Sequence, residues 1–406
     1  MKRFYLLCLA GMLAASCEIL DDDIDKHASD RAAVPLSEVA QVLANLPLGA
    51  YQMGEVFGAV SSSVENGYDE EYMMYDLFGT PGAGVGDDRM TKSEAPELSG
   101  VPLRDMIADY VMSQAETKSG SGMDDPSGWL ERLAESDVQI YWPFSESWNG
   151  EELPVITFDP EDDSQVNIGY RITEDSEGFR RIEEVLVDET VAMETPVWVV
   201  NRNTDAGYTT LEMLRREDPD WGEGGGSIIV GPGAGKDKKE TKSGGKVRSL
   251  ILKDFTMNRN YDSWFAGASE FLVKVGAFED FTATTEAELR LFTPTITDFL
   301  IVVKRSQMGD PVPFNAMVFS EWTDSVESFA FMIIEDDGGT IKDWNCTALV
   351  RIESRSYGVE LKIPFHSYDD IVWRGTLGHR WFEAYNDTIG HFGDVDLTFE
   401  VIEKEL

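Results

Sequence analysis

Hydrophobic residues recur with helical spacing in the first third of the chain and with strand-like alternation in most of the rest. One early run places its apolar side chains at i, i+3, i+4 and i+7, which predicts a helix: Val39, Val42, Leu43 and Leu46. Ser37 is the expected N-cap of that helix, and the later run VPLRDMIADYVMSQAE repeats the spacing. Residues 35 to 128 are therefore predicted to form a helical N-terminal segment that ends in a Gly- and Ser-rich linker.

Shorter runs with mixed signals follow this segment. DVQIYWPF, LPVITFDP, VNIGYRI and TPVWVVNRN have the β-branched and aromatic content of strands, whereas TTLEMLRRE is typical of a short helix. These runs predict a small β-rich or α+β unit over residues 129 to 216. Residues 217 to 246 are rich in glycine and end in a group of lysines, which predicts a flexible linker.

Residues 247 to 406 contain one strand-like run after another. SEFLVKVGAF, TDFLIVVKR, ESFAFMIIE and YGVELKIPF are interpreted as strands, and so is the more polar EAELRLF. Many short strands without a long helix predict an antiparallel β-sandwich, C2-like or Ig-like in general form. The predicted fold class of the whole chain is therefore mixed and mainly β, with the sandwich at the C-terminal end.

The first residues have the organisation of an export signal. Lys2 and Arg3 precede a short apolar run, and small residues follow that run just before Cys17. The apolar run is shorter than the roughly 20 residues that a membrane-spanning helix needs. Residues 1 to 16 are therefore interpreted as a cleaved signal peptide.

The run LAASC at residues 13 to 17 resembles the lipobox of bacterial lipoproteins. The resemblance implies that Cys17 is acylated on its sulfur and becomes the mature N-terminus. Several acyl chains on one residue give lasting membrane attachment, whereas a single chain binds only marginally. The alternative is an ordinary secretory signal with an incidental cysteine. Residues 17 to 34 are polar and aperiodic, which predicts a flexible tether behind the lipid.

The acidic residues behind Cys17 bear on the location of the protein. Glu18 and the three acids at 21 to 23 are similar to the acidic run of surface-exported lipoproteins in Bacteroidota, although Ile19 and Leu20 interrupt it. The resemblance implies the cell envelope, with a lipid anchor in the outer membrane and exposure at the surface. The body of the chain also resembles uncharacterised lipoproteins of that group, which implies a location and no activity.

Charge and cysteine content narrow the choice of partners. The formal net charge is −41, and a field of that sign repels phosphate backbones and anionic headgroups, so nucleic-acid binding is disfavoured. The chain has three cysteines. Cys8 lies in the signal and Cys17 is assigned to the lipid, so Cys346 has no partner for an intramolecular disulfide. Its alternating context indicates a buried small apolar residue rather than a nucleophile.

Acidic residues in the predicted sandwich turns are candidate calcium ligands. The runs EDDGGTIKDWN and NRNYDSW supply carboxylate and amide oxygens, which calcium prefers, and they contain Asn258, Asn260, Asp262, Glu335, Asp336, Asp337 and Asp343. Among these, Asp262, Asp336, Asp337 and Asp343 are the predicted metal ligands. A β-sandwich with acidic end loops looks like C2-type calcium modules, which implies calcium as the only candidate cofactor. The alternative is an acidic turn that holds no metal.

A hydrolase is a further alternative. The run GHRWFEAYNDTIGHFGDVD contains two histidines and several acids, of which His379, His391, Asp394 and Asp396 are the candidate site residues. The chain contains four histidines and no H-E-x-x-H spacing, so the usual zinc-hydrolase motif is absent. The alternative is a pair of loop histidines near strand acids. No catalytic residue is assigned, and a non-catalytic protein is expected.

The aromatic content raises the alternative of glycan binding, and two short motifs bear on glycan attachment. Ten tryptophans and 13 tyrosines raise the alternative of glycan binding, although large aromatic residues also fill cores. Asp-Ser-Val at 324 to 326 and Asp-Thr-Ile at 387 to 389 are similar to the O-glycosylation acceptor of exported Bacteroidota proteins. This similarity implies modification of Ser325 and Thr388.

Together these patterns predict a surface-anchored lipoprotein that acts as a binding or structural module, and no motif indicates its biochemical activity. A calcium- or glycan-binding sandwich and a hydrolase with a His/Asp site stay open as alternatives. The expected partners are the membrane, through the lipid on Cys17, and a glycan or a protein.

Overall fold

The computed structural model describes residues 33–79, 91–96, 99–117, 125–162, 164–174, 179–203, 210–217, 246–279 and 281–405. The fold is mainly β and consists of a sheet covered by helices, followed by an antiparallel sandwich. Within these residues, no helix is both long enough and apolar enough to span a membrane.

The N-terminal unit is built on one six-stranded sheet. Its helices are α1 (Leu36–Asn45), α2 (Ala50–Glu65), α3 (Met74–Phe78), α4 (Leu103–Thr117), α5 (Pro126–Ala134), α6 (Glu189–Glu194) and α7 (Leu211–Glu217). Its strands are β1 (Glu71–Met73), β2 (Val138–Tyr141), β3 (Val155–Phe158), β4 (Asn167–Glu174), β5 (Arg180–Val187) and β6 (Val197–Arg202). They pair in the order β1-β2-β6-β3-β4-β5, and only β3 and β6 run parallel.

One hydrophobic core joins these helices to the sheet. The apolar face of α1 contributes Val39 and Leu43, which share that core with Ile156 of β3 and Trp198 of β6. Helix α1 packs here because its apolar residues fall on one face of a 3.6-residue period. The segments predicted separately at 35 to 128 and 129 to 216 therefore contribute to a single core.

The C-terminal unit is a sandwich of two four-stranded antiparallel sheets, as predicted. Its elements are β7 (Lys246–Met257), β8 (Ser269–Ala277), α8 (Glu286–Leu289), β9 (Thr295–Val303), β10 (Val312–Trp322), β11 (Ser328–Glu335), β12 (Ile341–Ile352), β13 (Arg355–His366), β14 (Asp370–Gly378), α9 (His379–Ala384), β15 (Ile389–Phe392) and β16 (Val395–Glu405). The sheets have the orders β10-β7-β16-β15 and β14-β11-β8-β9. Between them, the ring of Phe331 lies 5.5 to 6.2 Å from the rings of Trp373, Phe392 and Phe399.

Strands β12 and β13 form a hairpin that adds a third layer. Ala348, Leu361 and Ile363 of the hairpin pack on the outer face of the second sheet, against Leu272 and Met332. That sheet is therefore covered on both faces, and every residue of β8 and β11 is buried. Burial on both faces explains why these two strands are apolar in runs rather than in strict alternation.

A loop of the sandwich reaches into the N-terminal unit. Between β7 and β8, Trp264 and Phe265 are buried in a small second core of that unit, together with Tyr141, Val197 and Val199. The side-chain amide of Asn201 donates to the carbonyl oxygens of Phe265 and Ala266 at 3.0 and 2.6 Å. The two units are therefore joined by apolar packing and by buried hydrogen bonds.

Two local predictions are wrong. EAELRLF contains α8 instead of a strand, because Thr285 and Glu288 form a capping box that starts a helical turn. Helix α1 has Pro35 as its N-cap instead of Ser37, which lies inside the first turn. The earlier start brings Leu36, which is 3% exposed, into the core.

Candidate functional site

Two groups of side chains whose atoms could ligate a metal lie at one end of the sandwich, where β11 ends and the turn to β12 begins. Asp262, Glu335 and Asp337 form the first group, which we call the carboxylate cluster. The second group, which we call the histidine cluster, consists of Asp336, His366 and Asp369. Within each group one ligand atom from every residue lies within 4.8 Å of the others.

Glu335 is the buried centre of the carboxylate cluster. It is the last residue of β11, and it pairs with Phe271 on one side and with Asp370 on the other. Its exposed fraction is 0%, and in the described part of the chain no backbone or basic donor reaches its carboxylate oxygens, whose hydrogen-bonding neighbour is another acid, Asp262. A buried carboxylate without a donor is costly unless a proton or a cation compensates its charge.

Asp262 and Asp337 face Glu335 from two different loops. Asp262 is half-buried in the β7–β8 loop, and Asp337 is exposed in the turn after β11. The cluster therefore extends from a buried carboxylate to one at the surface. In the same loop as Asp262, the buried Oδ1 atom of Asn260 has no hydrogen-bond partner among the described residues.

Burial and repulsion favour the protonated forms of these acids. Although part of Asp337 is exposed, desolvation among the neighbouring groups raises its pKa from 3.8 to about 7, and repulsion from Asp262 adds to the shift. Burial also raises the pKa of Asp262, and burial together with the contact to Asp262 raises the pKa of Glu335 far above its ordinary value. The positive charge of Arg305 lowers the pKa of Asp262, but burial outweighs it. Without an added cation, the cluster therefore holds protons at neutral pH.

The histidine cluster differs because backbone donors satisfy its acids. The N–H groups of His366 and Asp337 donate to the carboxylate of Asp369 at 2.6 and 3.3 Å. The N–H of Gly338 donates to Oδ1 of Asp336 at 3.1 Å, and the Nδ1 atom of His366 lies 3.1 Å from the same oxygen. These bonds fix the β11–β12 turn, and they hold Asp337 where it faces Glu335.

The structure brings together part of the predicted calcium set. Asp262 and Asp337 meet at Glu335, whereas Asp336 belongs to the histidine cluster. Asp343 lies in neither cluster, which corrects its assignment as a ligand. The reason is that β12 starts at Ile341, so Asp343 is an exposed strand residue opposite Pro364.

The sequence reasoning missed His366 and Asp369. Their signal is the H-x-x-D spacing of HSYD, which begins at the last residue of β13. That spacing lets the Asp369 carboxylate accept the backbone N–H of His366.

Of the four residues proposed for a hydrolase, His391 and Asp396 contact each other, whereas His379 and Asp394 have other partners. Nδ1 of His379 lies 2.9 Å from the carbonyl oxygen of Val326, and Nδ1 of the exposed His391 lies 2.6 Å from Asp396. The fourth residue, Asp394, accepts a hydrogen bond from the Tyr261 hydroxyl at 3.2 Å and pairs with Arg259. Neither cluster contains any of the four.

Most of the described tryptophans have packing roles. Trp142, Trp264 and Trp322 are at most 1% exposed. Trp142 and Trp148 border a cavity of about 190 Å³ in the N-terminal unit. Their rings pack on each other and on Phe57, at centroid separations of 5.3 to 5.9 Å. These ring faces therefore serve packing within the protein.

The remaining predicted positions are scattered. Ser325 is half-buried in the turn between β10 and β11, whereas Thr388 is exposed just before β15. Cys346 is a half-buried free thiol on β12 and packs against the core beneath the hairpin. Cys17 lies outside the described residues.

Comparison of the chain with protein-family models, with curated proteins and with solved structures finds no match. Within the described residues, the carboxylate cluster is therefore the feature from which a function is inferred.

Proposed function

We propose that this chain is a non-catalytic, lipid-anchored envelope protein whose C-terminal sandwich binds calcium at the carboxylate cluster. The observation that carries the calcium assignment is Glu335, a fully buried carboxyl group whose hydrogen-bonding neighbour among the described residues is another acid, Asp262. Asp262 and Asp337 each place a carboxylate oxygen within 4.8 Å of it. A divalent cation would replace the protons that this cluster otherwise holds.

The ligand chemistry favours calcium over other metals. All three side chains offer hard oxygen atoms, and they come from a strand end and two loops. Calcium accepts six to eight such ligands in irregular geometry, whereas magnesium demands a near-ideal octahedron. Structural zinc sites are built mainly from cysteine and histidine, neither of which is present in this cluster. The net charge of −41 also raises the local concentration of cations.

The anchor part of the proposal is supported by the lipobox resemblance at residues 13 to 17 and by the acids behind Cys17. Acylated Cys17 would hold the protein in the outer membrane, with the acidic body directed outwards. Replacing Cys17 with serine should move the protein from the membrane fraction to the soluble fraction and abolish palmitate labelling. Unchanged membrane association of C17S would refute the anchor.

The calcium site is tested by titration of the purified protein that begins at Cys17. Calorimetry should show saturable calcium binding, and calcium should raise Tm relative to the chelated protein. E335Q keeps the side-chain shape and should abolish both effects. D343N is the matched control, because Asp343 is an acid close in sequence that lies outside the cluster. A wild-type protein with no response to millimolar calcium, or an E335Q variant that binds as well as wild type, would overturn the assignment.

A further inference from the structure

Three buried polar side chains contact one another in the N-terminal unit, away from the calcium site. Nζ of Lys92 donates to Oδ1 of Asn203 at 3.0 Å, and it lies 3.3 Å from Oε1 of Glu71. Nδ2 of Asn203 donates to Oε2 of Glu71 at 2.9 Å. The three residues are only 8%, 7% and 1% exposed, respectively. An amine, a carboxamide and a carboxylate thus form a closed triangle that is shielded from solvent.

The backbone around the triangle holds each member in place. Glu71 is the first residue of β1, and Asn203 directly follows β6, where its N–H donates to the carbonyl oxygen of Asp137 at 2.8 Å. The N–H of Lys92 donates to the carboxylate of Asp76 at 3.2 Å, and so does the N–H of Ser93. These bonds to Asp76 therefore fix the backbone that carries the Lys92 side chain.

Further contacts fix the lysine itself. The carbonyl oxygen of Lys92 accepts a hydrogen bond from Nδ2 of Asn66 at 2.8 Å, and its Nζ lies 4.8 Å from the centre of the Tyr68 ring.

Reaction partners that are held in contact react far faster than free ones, because their relative freedom of movement has already been lost.

We propose that Lys92 and Asn203 join through an intramolecular isopeptide bond, with Glu71 as the proton carrier. The carboxylate of Glu71 takes a proton from the Lys92 ammonium, and the free amine attacks Cγ of Asn203. Glu71 passes this proton to Nδ2 and takes a second proton from Nζ, the Cγ–Nδ2 bond breaks, and the departing ammonia takes the second proton from Glu71. Overall, an ammonium and a carboxamide become a secondary amide and an ammonium ion, so no oxidant, metal or cofactor is consumed.

The surroundings suit each step. The Glu71 carboxylate lies 3.3 Å from Nζ, where it can accept the proton whose loss makes the amine a nucleophile. Oδ1 of Asn203 is bonded to Cγ, so the 3.0 Å hydrogen bond brings Nζ close to the carbon that it attacks. Glu71 contacts both nitrogens, one with each oxygen, which is the placement that a proton carrier between them requires.

The isopeptide bond would give the chain an intramolecular cross-link, which its cysteines do not provide. It would connect positions 111 residues apart in the N-terminal unit. With Cys8 in the signal and Cys17 assigned to the lipid, Cys346 cannot form an intramolecular disulfide in the mature chain. A cross-link that closes a long loop restricts the unfolded chain and so stabilises the fold.

Mass spectrometry of the unlipidated protein that begins at Cys17 tests the bond without any variant, because acylation of Cys17 would itself change the intact mass. The intact mass should be lower than the sequence mass by one ammonia, and digestion should give a branched peptide that joins the Lys92 segment to the Asn203 segment. An intact mass equal to the sequence mass, or an ammonia loss that fragmentation places as a succinimide in a linear peptide, would overturn the proposal.

Three variants test the assigned roles. Lys92→Arg keeps the positive charge but should give the full mass, because the guanidinium does not attack the amide. Asn203→Asp should lose one water instead of one ammonia if it reacts. Glu71→Gln should fold, as judged by circular dichroism, yet retain the full mass. Ammonia loss that persists in Lys92→Arg would refute the lysine as nucleophile, and loss that persists in Glu71→Gln would refute the proton carrier.

Discussion

The indole Nε1 of Trp264 donates a hydrogen bond of 3.0 Å to the carbonyl oxygen of Gln165, which joins the sandwich to the N-terminal unit. Trp264 follows Asp262 by two residues in the same loop. Arg305 strengthens the connection, because its Nε lies 2.8 Å from Oε1 of Glu189 while its Nη1 donates to the carbonyl oxygen of Asp262 at 3.2 Å. The loop that supplies a proposed calcium ligand therefore also holds the two units together.

We expect Trp264→Phe to weaken calcium binding by about fivefold or more, because linked sites typically share 1–3 kcal/mol of coupling free energy. Calorimetry on the variant measures this loss. Arg215→Ala is the matched control, since Arg215 also crosses the interface, to the carbonyl oxygen of Asn315, but contacts no residue of the Asp262 loop through that bond. Equal losses of affinity in the two variants would argue against coupling through the loop.

Calcium binding is expected to weaken as the pH falls. Desolvation raises the pKa of Asp337 to about 7, so at lower pH a proton must leave this group before calcium binds. Because each displaced proton costs about tenfold per pH unit below the pKa, we expect affinity to fall at least about tenfold from about pH 7.5 to about pH 5.5. Titrations at the two pH values test this expectation, and a constant affinity would contradict it.

Without calcium, Glu335→Gln should stabilise the protein at neutral pH. Burial raises the pKa of Glu335, so the folded chain keeps a proton that the unfolded chain releases above about pH 4.5. The free energy of unfolding of the wild type therefore falls as the pH rises above that value, and glutamine removes this loss. We expect a gain of at least about 1 kcal/mol at pH 7 and little gain near pH 4. Urea denaturation at both pH values measures the difference, and an equal gain at each would show that protonation is not its cause.

The sandwich core should be sensitive to truncation. Phe331→Ala removes a fully buried ring that contacts three other aromatic rings, and we expect it to lower the free energy of unfolding by about 3 to 5 kcal/mol. Leu186→Ala, on the edge strand β5, is the control, because Leu186 is 71% exposed. Its effect should stay within about 0.5 kcal/mol. If the two variants lowered the free energy of unfolding equally in chemical denaturation, the packing around Phe331 would not be a main source of stability.

Local patterns predicted most strands of the sandwich, because alternation and apolar runs are properties of neighbouring residues. Strand β5 was missed because most of its side chains are exposed at the edge of its sheet, so no apolar face marks it. Helix α2 lies inside the segment predicted to be helical, but it was not predicted as a separate helix, since glycines and serines interrupt its apolar spacing.

The candidate site was predictable only in part. The acidic turn after β11 and the acid in the β7–β8 loop are visible in the sequence. Their meeting at Glu335 depends on how distant segments pack, and so does the burial that distinguishes Glu335 from the exposed Asp343. The Lys92 triangle has no local signature, because its members come from three separate segments of the chain.

The insertion of Trp264 and Phe265 among Tyr141, Val197 and Val199 also sets an order of events. Synthesis proceeds from the N-terminus, so all six strands of the first sheet emerge before the loop that completes this core. Until that loop arrives, an apolar recess of the N-terminal unit stays open to water. The first unit therefore reaches its final packing only when the second begins to form. A chain whose synthesis stops before residue 264 would expose the unfilled recess, and this apolar surface would be prone to aggregation.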